Sequence, residues 1–425
     1  MRVLIVGAGT GGLCLAHGLT RAGIDVEVFE RSTESTDGLP GYGIHLNANG
    51  CKALHDCLPP ENWDRFDAVT APAKDIVRFH DEHLRQITAR DGDFIASESD
   101  PIRHRRAVSR LALREVLLEG LNPVLRWDKT FVRYEQPPGG GVTAHFADGT
   151  TAAGDVLVGA DGSNSRVRGQ YLPDLRRFDV GVFNVAGRYA LTPDRAARLP
   201  TPLTEGSVNN IVPAGPGWMF VSTWYTPRRW ADAQHDGSHI KDDAATDYVV
   251  WAYAAARAGY PAGVEDMNSD QLRDLVLDRT KDWDPTLRSL VADAVPGSIA
   301  PIPLRSMPTL EPWPASTVTL LGDAIHNMTP MAGVGANTAL RDAGHLRAAL
   351  SQAAAGDGDP VQAIAEYETR MRAYANIALS QSLRNARTAG AEARLKRSAF
   401  RTLLRVAEAA PPVKRFMFAA PKDRD

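Results

Sequence analysis

"RVLIVGAGTGGLCLAHGLTRAGIDVEVFE", residues 2–30, decides how this chain begins to fold. The apolar run 2–6 has the length and content of a buried strand. Residues 11–22 carry Leu13, Ala16, Leu19 and Ala22 at intervals of three, the apolar stripe of a helix. Gly23 stops that helix, and Asp25–Glu30 reads as a second strand. Between the first strand and the helix stand Gly7, Gly9, Gly11 and Gly12. Glycine at such a junction lets backbone come close to another group. Strand, glycine turn, helix and a second strand closed by an acidic residue form the dinucleotide-binding fingerprint in the context it requires. Gly7 permits the tight turn, Gly9 lets a pyrophosphate reach the backbone, and Gly12 lets the helix pack on the strand. Free N–H groups at the helix start would hold the anion. Glu30 would accept from a ribose hydroxyl, and its charge disfavours a 2′-phosphate. NAD and FAD both satisfy these residues.

The bulk properties exclude several classes. At 425 residues the chain has room for two or three domains. With 44% apolar and 23% charged residues and a formal net charge of −3, it reads as an ordinary globular protein without a basic balance for nucleic acid or membrane. Cys14, Cys51 and Cys57 form no CxxC, and an odd count argues against a disulfide framework, so a reducing cytoplasm is expected. Glycines interrupt the apolar start and a second strand follows, unlike a signal peptide. No apolar run reaches membrane-spanning length. No metal site is read.

Further along come a Gly/Pro/Ser-rich loop at 32–43, a helix near Asn49–Leu58, and a hairpin over 75–88 turning at Asp81–Glu82. A helix is expected over Ser109–Leu121, then three strands separated by turns at 137–141 and Asp148–Gly149. After Tyr171 the texture becomes strand-rich and aromatic, with strands at Val182–Leu191, Val208–Pro213 and Trp218–Tyr225. Val249–Ala254 fits strand or helix, and a helical piece surrounds Ser269–Asp282. From Ser316 the first texture returns, with a helix from about Ala336. One long helical element is expected over 360–410, with Ile364, Tyr367, Met371, Tyr374 and Ala378 on one face and Pro411–Pro412 ending it.

Three further stretches carry a family resemblance. They are DVLVGADGSNSRVR (155–168), VTLLGDAIHNMTPMAGVGANTALRDAGHL (318–346) and SRLALREVLL (109–118). With the glycine turn, they resemble the motifs of the class A, para-hydroxybenzoate hydroxylase-like FAD-dependent monooxygenases. The last stretch is closest in outline to the small tetracycline-inactivating branch. The resemblance covers the FAD half of the chain, and the middle region matches only in outline. It implies an α/β fold: a discontinuous Rossmann-like FAD-binding domain (1–72, 100–175, 300–352), an inserted sheet-rich substrate domain (73–99, 176–299) and a long C-terminal helix (360–410).

The resemblance also implies cofactor roles. Gly7, Gly9 and Gly12, with Glu30 and its neighbour Arg31, would bind one end of FAD. Arg110 would reach the ribityl or pyrophosphate region. Asp161 and Gly162 would lie close to the pyrophosphate, in a segment the family links to both FAD and nicotinamide. Gly322 and Asp323 would close over the ribityl chain. Pro330, Gly333, Gly335 and Asn337 would line the isoalloxazine ring. His326 reads as structural. Arg103-His104-Arg105-Arg106 reads as a solvated basic face, with attraction of an NADPH phosphate as its alternative. A second GxGxxG is absent, which suits NADPH or NADH as a transient co-substrate.

The implied chemistry is reduction of FAD by NAD(P)H, addition of O₂ at flavin C4a, and transfer of one oxygen from the hydroperoxide to a small aromatic or polyketide-like substrate. Water must be excluded for that transfer. No catalytic side chain is assigned. Substrate-lining candidates are polar or aromatic residues in the middle strands, Asn184, Asn210, Phe220 and Trp224, with His45 and Met331 on flavin-side loops. Expected partners are the organic substrate, O₂ and NAD(P)H, without nucleic acid or membrane, in a monomer or weak homodimer. A flavin oxidase or dehydrogenase and a non-catalytic flavin-binding protein are the alternatives. A halogenase would want GWxWxIP, where Gly217–Val221 reads GWMFV.

Overall fold

Residues 2–30 fold as the strand Arg2–Val6, the helix Thr10–Arg21 and the strand Asp25–Phe29. The computed structural model describes residues 1–33, 43–72, 76–90, 100–225, 247–356 and 358–418. The two opening strands pair in parallel, and Leu13, Leu15, Ala16 and Leu19 of the helix are fully buried. Three more strands complete a parallel sheet in the order Val318–Leu320, Val156–Gly159, Arg2–Val6, Asp25–Phe29, Leu125–Arg126. These strands are short apolar runs because both faces are covered. The helix Gly335–Ala355 packs on Thr10–Arg21 and on Ala48–Cys57. An antiparallel sheet of Phe131–Glu135, Val142–Phe146 and Thr151–Gly154 lies beside it in sequence. The helix expected over Ser109–Leu121 runs Arg110–Leu118, with the Ser109 hydroxyl capping its start.

These elements belong to one compact unit: Met1–Thr70, Asp100–Phe178 and Arg305–Arg384. A second unit comprises Ala71–Ser99, Asp179–Leu304 and Asn385–Asp425. Its sheet has seven strands in the order Ala300–Ser306, Phe178–Ala190, Tyr248–Ala256, Trp218–Trp224, Val208–Ile211, Val77–His80, Gln86–Arg90. The stretch that fitted strand or helix is therefore strand. The last two strands are the expected hairpin, turning through Asp81–Leu84; position 75 and most of the 32–43 loop lie outside the described residues. One sheet face carries Phe183, Val185, Met219, Val221, Trp251 and Tyr253, which pack with Leu272, Val276, Leu287 and Leu290 of the helices Ser269–Arg279 and Pro285–Ala292. Burying each such side chain contributes about 1.5–3 kcal/mol.

The single element expected over 360–410 is divided. Pro360–Ala389 is one 30-residue helix, and Arg394–Ala409 is another. The break is at Gly390, where a Cβ would stand 2.4 Å from Val182 Cγ2. The buried Arg397 guanidinium holds the break, donating to the carbonyls of Ala389 (2.9 Å), Ala391 (2.6 Å) and Gly217 (2.6 Å). Pro411 and Pro412 start a further helix, Pro411–Phe418, at positions where a missing N–H costs nothing.

Candidate active site

Four strand ends stand level. Val6 is the cross-strand partner of both Phe29 and Gly159, and Gly159 is the partner of Leu320. The glycine turn, Glu30, the Asp161–Gly162 turn and the Gly322–Asp323 turn therefore leave the sheet side by side at its carboxyl edge. Sequence order switches direction across this edge, where open parallel sheets bind ligands.

The three glycines of the first turn are held for different reasons. Gly7 has φ +109°, and a Cβ there would meet the Ala160 carbonyl oxygen at 2.3 Å. A Cβ at Gly12 would meet the Gly7 oxygen at 2.2 Å. A Cβ at Gly9 would meet no protein atom within 4 Å. Gly9 precedes the helix Thr10–Arg21 without any side-chain cap, so N–H groups there point into open space. The Glu30 carboxylate accepts from Ala8 N–H (2.8 Å) and Ser32 N–H (3.0 Å), which fixes it beside the turn; Arg31 is exposed. Arg114, overlooked in the sequence, donates to the Ala8 carbonyl and lies over the Trp127 ring at 5.8 Å. Burial lowers its pKa, and the Glu30 charge opposes that shift. Its one signal was the four-residue spacing from Arg110 on one helix face.

Arg110 reaches solvent, yet enough protein surrounds its guanidinium that desolvation lowers its pKa, opposed by the Asp323 charge. Asp161 Oδ2 accepts from Arg166 N–H (2.7 Å) and Val167 N–H (3.3 Å) at the start of the helix Arg166–Tyr171. Its Oδ1 is buried with no protein partner among the described residues. Burial raises the Asp161 pKa against the pull of those hydrogen bonds. A buried acceptor without a donor asks for one from outside the chain.

Gly322 has φ +62°, and Asp323 is exposed beyond it. Pro330–Ala332 form one turn of 3₁₀ helix, with Pro330 and Gly333 exposed and Met331 half-buried, before the helix that Gly335 opens. Asn337 is buried. Its amide accepts from Asn47 N–H (2.8 Å) and donates to the His45 carbonyl (2.9 Å), so it clamps the 45–47 segment to this helix.

Two more arginines gather near Asp323. Arg177 donates to the side chains of Asn164 and Asn327, and its pKa is lowered by burial and by Arg305, with Asp323 opposing. Arg305 is exposed and has no ion pair among the described residues. In the basic run, by contrast, Arg106 is committed to Asp67 (2.8 Å) and to the Ile102 and His104 carbonyls, over the Trp63 ring at 5.1 Å.

In the second unit, register settles which residues share a face. Asn210, Phe220, Ala252 and Ala186 form one cross-strand row, and Trp218, Ala254 and Asn184 the next. Trp224 has the same parity as Phe220, so Asn184, Asn210, Phe220 and Trp224 all lie opposite the helix-packed face. Trp218 Nε1 donates to Asn210 Oδ1 at 3.1 Å, and Trp224 stacks on Tyr248. Ser222 shares this face, and its buried hydroxyl lacks a protein partner among the described residues; sequence reasoning missed it. Asn209 points the other way and pairs with His80 Nε2 at 3.0 Å. His45 and Met331 belong to the first unit, the other candidates to the second.

Room at Gly9, the donorless Asp161 oxygen and the desolvated Arg110 fit an anionic dinucleotide along the four strand ends. Comparison with known proteins agrees. Residues 287–382 match the family described as FAD binding domain, and residues 5–36 match NAD(P)-binding Rossmann-like domain. The dual O-methyltransferase/FAD-dependent monooxygenase CTB3 of Cercospora beticola is 32% identical over 88% of this chain, but the chain spans only 44% of that protein's length. The 3-amino-4-hydroxybenzoate 2-monooxygenase PtnB3 of Streptomyces platensis is 29% identical, over 86% of this chain and 83% of its own. A solved structure from Photorhabdus luminescens subsp. laumondii, described as an FAD-containing monooxygenase, superposes with a TM-score of 0.82 at 46% identity, covering 92% of this chain and 98% of that one. With near-complete mutual coverage at that identity, and a sheet edge built to take the cofactor, the chain belongs to the FAD-containing monooxygenases.

Proposed function

We propose that this protein is an NAD(P)H- and FAD-dependent monooxygenase that inserts one oxygen atom of O₂ into a small aromatic or polyketide-like molecule. The level alignment of Val6, Phe29, Gly159 and Leu320 carries the reading, because it assembles four cofactor-facing turns on one edge. Bound FAD supplies the hydride acceptance and oxygen activation that no side chain can. The chain's own residues bind and orient. N–H groups around Gly9 take the pyrophosphate, with Arg110 and Arg114 completing the positive surround. Glu30 accepts from the ribose and Asp323 from the ribityl chain. Arg177 and Arg305 receive the phosphates of the incoming nicotinamide nucleotide. The first unit is the cofactor domain and the second the substrate domain.

On the face of the second sheet opposite its packed helices, Phe400 packs on Trp218 at 5.9 Å between ring centroids and Ala186 and Ala254 are buried, while the half-buried Ala252 and Phe220 leave a flat floor suited to a planar ring. Asn184, Asn210 and Ser222 set its orientation. His45 is the candidate to take a phenolic proton. The fused relatives pair this activity with an O-methyltransferase, and a newly installed phenolic hydroxyl is a group such enzymes methylate. All three cysteines are free and buried, which supports a reducing cytoplasm. No helix among the described residues is long and apolar enough to cross a membrane.

The test is turnover of the yellow holoprotein with NAD(P)H and a panel of phenols under ¹⁸O₂. A substrate that accelerates NAD(P)H oxidation and leaves with one labelled oxygen is expected. Failure to take up FAD, or oxidation products without label, would overturn the proposal.

A further inference from the structure

Behind the Gly322–Asp323 turn lies a polar cluster that the cofactor-facing residues do not include. Asp342, two turns into the helix Gly335–Ala355, is fully buried, as is His326. Asp342 Oδ2 accepts from the Gly322 N–H at 2.7 Å and from His326 Nε2 at 2.6 Å. Its Oδ1 accepts from the Tyr374 hydroxyl at 2.6 Å. One carboxylate thus ties the turn, the end of the short helix Asp323–His326 and the helix Pro360–Ala389 to a single point.

The charges are arranged to permit this. A carboxylate with no solvent is costly unless paired and hydrogen-bonded. His326 faces Asp342 from one helix and Asp323 from its own, and Arg168 reaches the same short helix through the Ala324 carbonyl at 2.6 Å. Tyr374 lies against His345 and under the Arg341 guanidinium at 4.3 Å. Burial pulls the His326 pKa down, but the charge and hydrogen bond of Asp342, with the charge of Asp323, outweigh it and leave it raised. With the carboxylate as acceptor, His326 Nε2 bears the proton between them.

Gly322 is the hinge of this arrangement. At φ +62° it occupies a region glycine enters and leaves freely, so its own chemistry does not fix the turn. The bond from its N–H to Asp342 does.

We propose that Asp342 and His326 are positioning residues for the flavin site, a buried hydrogen-bonded pair that locks the Gly322–Asp323 turn so that Asp323 faces the ribityl chain. The inference rests on the FAD reading above and assigns the pair no contact with the cofactor.

The experiment is FAD titration of the apoprotein, followed by flavin fluorescence, in the parent, Asp342→Asn, His326→Asn and the double variant. ¹⁵N NMR reports the protonation of His326 in the parent and in Asp342→Asn. Each single variant should raise the FAD dissociation constant about tenfold or more, the worth of a charged hydrogen bond. The double variant should be no worse than the weaker single, because both remove one interaction. In the parent, His326 Nε2 should show the proton hydrogen-bonded to Asp342, and that signature should be lost in Asp342→Asn, which a general loss of packing would not produce. Should Asp342→Asn fail to fold, His326→Gln removes the imidazole and leaves the carboxylate; a dissociation constant raised about threefold or more supports the proposal, and parent-like affinity overturns it. Folded variants that bind FAD within twofold of the parent, or a His326 Nε2 that carries no proton in the parent, also overturn it. A parent that takes up no FAD would instead sink the functional reading.

Discussion

A Cβ at Gly12 would stand 2.2 Å from the carbonyl oxygen of Gly7, whereas one at Gly9, between them, would touch nothing within 4 Å. Protein packing thus demands glycine at 12 and leaves position 9 to a ligand. Gly12→Ala should destabilise the apoprotein by about 1–3 kcal/mol, the cost of overpacking a tight contact. Gly9→Ala should leave apoprotein melting unchanged and raise the FAD dissociation constant about tenfold or more, because the methyl takes the pyrophosphate's place. Thermal melts with and without FAD separate the two outcomes; equal destabilisation of both apoproteins would refute the distinction.

Arg177 and Arg305 should serve the nicotinamide nucleotide and not FAD. Replacing either by Ala should raise KM for NAD(P)H about ten- to a hundredfold, as expected for one charge-assisted phosphate contact, while flavin content stays at the parent level. Steady-state kinetics at two ionic strengths check this, since the parent's KM should rise with salt and the variants' should rise less.

The alanine floor sets what fits on the second sheet. Ala252→Leu adds an isobutyl group beside Phe220, its cross-strand partner. Product yield should fall several-fold while NAD(P)H is still consumed, with the missing oxygen recovered as hydrogen peroxide. A peroxide assay beside product chromatography reads the ratio, and unchanged coupling would remove this face from the substrate site.

Glu368 gives a pH prediction separate from the active site. It is buried, its Oε1 accepting from the Thr319 hydroxyl at 2.8 Å and its Oε2 without a hydrogen-bond partner among the described residues. Burial, opposed by the Thr319 hydrogen bond and the Arg372 charge, leaves its pKa raised to about 7 from an ordinary 4.5. Between those values the folded chain holds a proton that the unfolded chain has lost. Stability should therefore fall as pH rises from about 4.5 to about 7 and level off above, by up to about 3 kcal/mol from this group. Glu368→Gln should abolish that slope and be the more stable protein at alkaline pH, which urea unfolding across the range would reveal.

Local chemistry made the opening of the fold readable. Residues 2–30 declare strand, turn and helix because glycine placement and apolar spacing act within a few residues. Partners set by distant chain were not readable. The helix break at Gly390 depends on Val182, and the Asn337 clamp depends on His45 and Asn47. Periodicity over 360–410 is the same whether or not a neighbour forbids a side chain at Gly390. Alternation did place Trp218, Phe220 and Trp224 on one face, but only strand pairing separates Asn210, on that face, from Asn209 behind it. Arg114 and Asp342 lie within the stretches that carry the family resemblance and Ser222 lies in none, but the partners of all three exist only after the sheets are built.

The level row of Val6, Phe29, Gly159 and Leu320 also constrains when the protein can become active during synthesis. Its last member emerges from the ribosome some three hundred residues after its first. A nascent chain that has not yet delivered Val318–Leu320 and the helix behind it holds only part of the cradle. Vitamin supply during translation can therefore do little to guide early folding, and loading waits for that strand and its helix.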